Sequence, residues 1–482
     1  MNITQLKSNL DKILFYLVLF LFAFIPLYPK FPLLGIPGIF VSVRLEDIVI
    51  AVTVIVWLIF IWFYKSWSFL LKENVYKAFA LFFFIAILSL FSAIFLTHTV
   101  IPYLGLLHFL RRIEFMLLLP ICATVFTTKK RLTFAVGVLL LSMLVINLYA
   151  LGQQYLDWPV ISTTNSEFAK GLILKLTPGA RVNSTFAGHY DLAVFLAAGL
   201  VFLSVLFFAV KRFWKILILA LAGLSLYILI LTAARVSFVA AFVGVNSALF
   251  FSKKKKYLIL ILIPLVLALA YPTQLRDRFI STITVNLFNL GPRYEGRNLN
   301  QQLESKLNIP TLPYRMASRS ALAAPFASAE AGMAVDITPG EPIDLVDLAV
   351  YRSFQIRLNI EWPRAANAFI KNPFLGLGYS SLGIATDNDF LRSLGEIGLL
   401  GTIAFFLILL SIWKVISKGI NDENKMIRYF CAGSLSMIIT FLVNGSFIDV
   451  FESSKVASLF WMMLGLNLAC LKFMMKNYGE NS

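Results

Sequence analysis

Histidine, cysteine and acidic side chains are scarce in this chain. Three histidines and three cysteines among 482 residues leave little from which to build a metal centre, and neither type recurs at a ligand spacing. Cys122, Cys431 and Cys470 each lie in or beside an apolar run and form no disulfide framework. Charged residues make up 14% of the chain, too few to solvate a soluble protein of this size. Acids are outnumbered 25 to 42 by lysine and arginine, which leaves a net charge of +17. Internal repeats with a period of roughly 20–50 residues are also missing.

Apolar sequence takes the place of what is missing. The chain is 59% hydrophobic, with a mean hydropathy of +0.82. About a dozen apolar stretches of roughly 16–24 residues follow one another, each long enough to cross a bilayer as a helix. They lie near 13–29, 45–64, 76–97, 104–126, 132–154, 188–210, 214–233, 235–251, 256–271, 397–417, 427–447 and 455–474. The first is expected to be an anchor and not a cleaved leader, because Tyr28-Pro29-Lys30-Phe31-Pro32 follows it with no small-residue cleavage site.

Every second gap carries a compact basic cluster, among them Lys65 and Lys72, Lys129 to Arg131, Lys211 to Lys215, Lys253 to Lys256, Lys414 to Arg428, and Lys472 with Lys476. Basic loops stay cytoplasmic, so the alternation places both termini in the cytoplasm and the two long polar segments outside. Scattered among membrane-edge loops, the basic residues read as topology signals and lipid-headgroup contacts, and nucleic acid is excluded as a partner.

The expected architecture is an all-α polytopic membrane protein with about 12 transmembrane helices. Residues 1–271 supply about nine of them, 272–396 form one large extracytoplasmic loop, and 397–482 supply about three more. Within the loop, Tyr351, Phe354, Leu358, Trp362, Ala365 and Phe369 recur at spacings of three and four. This predicts an amphipathic helix near 350–370 that lies on the membrane or caps it. Arg357, Glu361 and Arg364 fall on another face. The stretch 104–126 carries His108, Arg111, Arg112 and Glu114 at membrane depth, which reads either as a structural Arg–Glu contact or as a substrate contact.

Three polar constellations share the extracytoplasmic side. One is Arg181-Val182-Asn183-Ser184-Thr185-Phe186-Ala187-Gly188-His189-Tyr190-Asp191. The second is the hinge Thr232-Ala233-Ala234-Arg235. The third pairs Asn372-Pro373-Phe374-Leu375-Gly376-Leu377-Gly378 with Asp387-Asn388-Asp389-Phe390-Leu391 and Glu396-Ile397-Gly398-Leu399-Leu400-Gly401. The planar guanidinium fork of arginine suits phosphate oxygens, and a carboxylate can take a proton from a hydroxyl. Taken singly, each has a plainer reading: a headgroup anchor for Arg235, a solvated charge for Arg181, a helix cap for the two aspartates.

Together these features resemble the O-antigen ligase and polymerase superfamily of bacterial envelope polysaccharide assembly. The resemblance is most specific over 181–193 and 357–401. It implies a type C glycosyltransferase fold in the bacterial inner membrane, working at the extracytoplasmic face. It further implies metal-independent, inverting transfer with no cofactor, from a polyprenyl-diphosphate-linked glycan donor to a glycan or glycolipid acceptor. Arg181 and Arg235 match the positions thought to hold the donor diphosphate, and Arg357 or Arg364 would add a third positive contact. Residues 387–391 match the family's His-Asn-x-Tyr-Leu motif, with Asp387 standing at the histidine. That departure turns the expectation from a lipopolysaccharide ligase toward a polymerase or a ligase for another surface acceptor. Asp387, Asp389 and His189 remain candidates for the base, with Asp387 expected to face Arg181 and Arg235. Asn388 is expected at the substrate, and Gly376 and Gly378 are expected to let the backbone turn close to the sugar. The rival reading is a transporter or flippase for lipid-linked glycans, which would show internal repeats and helices broken near mid-membrane.

Overall fold

The computed structural model describes residues 3–36, 42–64, 73–161, 173–176, 180–283, 356–383 and 385–479. Each of the twelve apolar stretches is helical, with ends that differ from expectation by about five residues or fewer, except that the first helix starts ten residues earlier, at Ile3, and the helix expected from Ile397 starts at Asp389. In order they are α1 (Ile3–Leu27), α2 (Leu45–Tyr64), α3 (Asn74–Phe91), α4 (Pro102–Val125), α5 (Lys129–Tyr155), α6 (His189–Ala209), α7 (Arg212–Leu231), α8 (Arg235–Phe251) and α9 (Leu258–Ala270). The short α10 (Gln274–Ser281) and α11 (Trp362–Lys371) follow, then α12 (Asp389–Lys418), α13 (Lys425–Gly445) and α14 (Ser454–Gly479). Two small antiparallel pairings, β1 (Pro32–Gly35) with β2 (Ser42–Arg44) and β3 (Val160–Ile161) with β4 (Ile173–Leu174), trim the connecting segments.

Among the described residues, nine helices are long and apolar enough to cross a membrane, and the chain is an all-α multi-pass membrane protein. Three other helices fall where spans were expected. Of these, α4 carries the charges at 108–114, α8 has 17 residues and α9 has 13.

The centre of the bundle is α14, whose apolar stretch is 94% buried. It packs along α4, where Gly465 meets the Leu119 carbonyl so closely that a methyl group would stand 2.4 Å from the oxygen. On one side α6, α8 and α13 pack together, and on the other α3 lies along α12.

The largest departure from the sequence expectation concerns α12. It does not begin at Ile397: Asn388 caps it by accepting the Phe390 and Leu391 N–H groups, each at 3.0 Å, and the helix runs from Asp389. At Gly398 the backbone leaves helical geometry, with φ 68°. The broken turn is repaired by the 372–378 turn. Leu377 and Gly378 donate to the Gly395 and Glu396 carbonyls at 2.9 and 2.8 Å, while Leu399 donates to Pro373 at 2.8 Å. The Ser89 hydroxyl, from α3, reaches the Leu375 and Glu396 carbonyls at 2.6 and 3.1 Å. Gly376 therefore serves the helix break, since a Cβ on it would stand 2.5 Å from the Glu396 backbone carbon. Gly378 abuts Ala93 in the same way. Residues 399–418 beyond the break span roughly 30 Å at about 1.5 Å per residue, one bilayer core. The break thus lies at one end of the membrane-crossing stretch, not at its middle.

Residues 351–355, including Tyr351 and Phe354, lie outside the described residues, as does the loop over 284–355. The remainder of the expected amphipathic helix is present as a π-helical turn, Arg357–Glu361, leading into α11. It caps the bundle: Ala365 and Ala368 are buried against Gly395 of α12, and Trp362 packs on Phe447 with ring centroids 6.1 Å apart.

Candidate functional site

The polar segments gather at the end of the bundle opposite the basic loops. Three of them, far apart in sequence, meet there. Arg181 is buried and donates to His189 Nε2 at 2.7 Å. Arginine can only donate, so that nitrogen is an acceptor and its lone pair is occupied. The next residue, Tyr190, packs its ring at a tilt against His189 with centroids 4.0 Å apart and lies under the Arg181 guanidinium at 5.9 Å. Its hydroxyl accepts from Arg357. Arg357 in turn pairs with Asp387 at 2.7 Å. The chain of contacts Arg181, His189, Tyr190, Arg357, Asp387 thus ties the segment before α6 to the turn before α11 and the loop before α12.

Arg235 opens α8 and donates to the Arg278 carbonyl at 3.2 Å and to the Thr282 hydroxyl. Arg278 is itself buried and acts electrostatically on His189. Arg235 is thereby linked to the group through α10. Ala233, at φ 50°, and the Thr232 hydroxyl, bonded to the Leu229 carbonyl at 2.6 Å, make the tight hinge that aims it. Arg364 is exposed on α11 and donates to the Ala385 carbonyl at 2.7 Å, so it holds the loop ahead of Asp387.

Three candidate carboxylates surround this loop, and their surroundings differ. Asp389 is buried and accepts the Val450 and Phe451 N–H groups at 2.8 and 3.3 Å, a structural tie between α12 and the turn before α14. Asp449 accepts three successive N–H groups, those of Thr386 at 2.8 Å, Asp387 at 3.2 Å and Asn388 at 3.2 Å, and pairs with Arg392 at 2.7 Å. Asp387 keeps 32% side-chain exposure and sits at φ 51°. Its partner is Arg357, where Arg181 and Arg235 were expected. Burial pushes the Asp387 carboxyl above its ordinary range and Asp449 adds to the effect, while Arg357 opposes it. Burial, with Asp387 and Asp449 nearby, likewise raises Glu361 to about 7. The Asn388 side chain is engaged at both ends, as the cap of α12 and as a 3.0 Å donor to the Ser446 carbonyl.

A second charged group lies beside the first. Lys30 faces Asp191 at 3.7 Å, Arg44 faces Glu46 at 3.7 Å, and Lys455 donates to the Thr185 carbonyl at 2.7 Å. Burial, with Arg44 close by, lowers Lys30 to about 8. From the stretch 104–126, Arg112 pairs not with Glu114 but with Glu452 of another element, and donates to the Phe451 carbonyl at 2.8 Å. Beneath it a narrow cleft between α3 and α12 is lined by Arg112, Asp389, Glu396 and several phenylalanines. Among the described residues, no group of three or more His, Cys, Asp or Glu side chains is placed to hold a metal ion.

Sequence reasoning gave no role to Tyr190, Arg278, Arg392 or Asp449. A signal for the last was there: Phe447-Ile448-Asp449-Val450-Phe451-Glu452 puts two acids in a very short gap between membrane helices. Compared with protein-family models and with curated protein sequences, the chain matches none.

Proposed function

We propose that the chain transfers a polyprenyl-diphosphate-linked glycan to a sugar hydroxyl at the extracytoplasmic face of a bacterial inner membrane, as a metal-independent glycosyltransferase resembling O-antigen ligases and polymerases. The observation that carries this reading is the joined set Arg181, Tyr190, Arg357 and Asp387, in which cations meet one partly exposed carboxylate at the end of the bundle away from the basic loops. Basic loops mark the cytoplasmic side, so the set faces outward and both termini face inward.

In this reading Arg181 and Arg357 neutralise the diphosphate, and Arg278 with Arg235 extends the positive surface beside them. The acceptor oxygen attacks the anomeric carbon from the face opposite the diphosphate. The anomeric C–O bond breaks, the diphosphate leaves with the electron pair, and the hydroxyl proton passes to Asp387. Of the three base candidates, Asp387 fits best, because His189 has its lone pair occupied and Asp389 is buried on backbone donors. An anion that draws Arg357 away leaves Asp387 without its stabilising cation and therefore more basic. Phosphate oxygens would replace the carboxylate oxygens on the same guanidinium.

Among the described residues, the Gly398 break favours the transporter reading. It lies at the end of a membrane-length helix, however, and its backbone groups are satisfied by the 372–378 turn. Cells lacking the chain separate the two functions. A transferase predicts lipid-linked glycan accumulating on the outer leaflet, with loss of the polymer or glycolipid product. Arg357→Ala, present at normal level in the membrane, should restore about 100-fold less product than the unaltered chain. Precursor trapped on the cytoplasmic leaflet would mark a flippase, and unchanged glycans would overturn the proposal.

A further inference from the structure

The opposite end of the bundle holds a different constellation. Phe207 and Phe208 end α6, with ring centroids 5.2 Å apart. Tyr257 packs at a tilt against Phe208 at 5.0 Å and Tyr429 lies 6.2 Å from it. Three elements bring a cation to this cluster of rings. Lys215, in the first turn of α7, stands 5.3 Å from the Phe207 centroid. Lys254, between α8 and α9, stands 5.3 Å from Phe208. Arg428, in the first turn of α13, lies 5.5 Å over Tyr429.

None of the three forms an ion pair among the described residues, and Arg428 Nε is buried without a hydrogen-bond partner. A ring face stabilises a cation but leaves its charge uncompensated, and an orphaned N–H still requires an acceptor. Phe213 and Trp214, 68% and 55% exposed, flank the corner and suit the headgroup level of a bilayer.

We propose that this corner binds the phosphodiester of an anionic phospholipid in the leaflet that faces the basic loops. The part-exposed Arg428 guanidinium donates to a phosphate oxygen, and Lys215 and Lys254 flank the headgroup over their rings. The lipid must carry net negative charge, because a zwitterionic headgroup already neutralises its phosphate with its own ammonium. The site is independent of the glycan chemistry at the other end.

The test uses the delipidated full-length chain in a neutral detergent, titrated with dioctanoyl phosphatidylglycerol or dioctanoyl phosphatidylcholine and read by native mass spectrometry. Phosphatidylglycerol should bind at least about tenfold tighter. Lys254→Gln and Arg428→Gln should each weaken it about fivefold, the effect of one cation near an anionic surface. Lys129→Gln with Lys130→Gln, in another basic loop, should change it less than about twofold. If Arg428→Gln does not fold, the surface pair Lys215→Gln and Lys254→Gln carries the comparison. Equal binding of the two lipids would overturn the proposal. So would an equal loss in the Lys129 and Lys130 variant, which would show diffuse charge attraction. Displacement of the lipid by equimolar inorganic phosphate would show a free-anion site instead.

Discussion

Asp449 holds the loop that presents Asp387, and Asp449→Asn tests how much of the site depends on it. The carboxylate accepts three backbone N–H groups and the Arg392 guanidinium. An amide offers one acceptor oxygen, and its NH2 would face donors. One carboxylate oxygen takes the Thr386, Asp387 and Arg392 contacts and the other takes Asn388, so at least one of the four interactions is lost and a buried arginine faces a neutral group. Hydrogen bonds to a charged group contribute about 1.5–3 kcal/mol each, and breaking a buried ion pair costs about 3–5 kcal/mol. The losses share one acceptor and do not add, so about 3 kcal/mol is expected for the local structure. That corresponds to roughly a hundredfold change in an opening equilibrium. Hydrogen exchange of the 386–388 amides reads it directly: protection should fall about a hundredfold while the α14 amides stay protected. Transfer activity should fall with it, because Asp387 sits at a positive φ that the loop imposes. Unchanged protection at 386–388 would refute the reasoning, since Asp449 is the acceptor of all three amides.

Four further outcomes are expected. Gly398→Ala places a Cβ 2.3 Å from the Phe374 oxygen at a backbone geometry that only glycine adopts freely, and should destabilise the chain by more than the roughly 1–3 kcal/mol of backbone strain alone, read as a lower Tm. Arg112→Met strands Glu452 and should cost about 3–5 kcal/mol, whereas Arg112→Met with Glu452→Leu should recover most of it, as a double-mutant cycle on Tm will show. Glu361 titrates at about 7 against an ordinary 4.5, so the fold favours its protonated form; docking of α11 should be tightest at acidic pH and weaken as pH rises through 7, and Glu361→Gln should flatten most of that dependence in exchange measurements corrected for intrinsic rates. Asp387→Asn should lower turnover of glycan transfer at least about a hundredfold while donor affinity holds or rises, measured as kcat against KM.

The helices were legible because apolar length and basic spacing are local signals, and α8 begins at Arg235 and ends at Phe251 as its sequence suggested. The first turns of α12 were not. Arg392, Gly395 and Glu396 interrupt the apolar pattern, and the turns they occupy are buried by α11 and the 372–378 turn, which sequence spacing does not reveal. The site divides the same way. Arg181, Arg357 and Asp387 could be picked out as chemistry-bearing residues, but their pairing could not, because Tyr190 bridges them across segments far apart in sequence. The packing of Gly376 on α12 was hidden for a related reason: a glycine needed for close backbone approach looks the same in sequence whether it faces a ligand or another helix.

The charges at the polar end differ in how readily they could be exchanged. Arg392 with Asp449 has side chains 4% and 13% exposed, and Arg112 with Glu452 13% and 22%; both also hold backbone carbonyls, so separating either pair would unmake the fold around it. Arg357 with Asp387 is different. The arginine is anchored on Tyr190, while the aspartate is 32% exposed and rests on an independently braced loop. Its carboxylate is the accessible half of the pair, and water or an incoming anion can take its place on the guanidinium without disturbing Asp449. A polyanionic donor with two phosphates competes for that position more strongly than one carboxylate does. On the proposed reading, donor capture and release of the base are then one electrostatic event, and the rigid pairs behind the loop confine the rearrangement to Arg357 and Asp387.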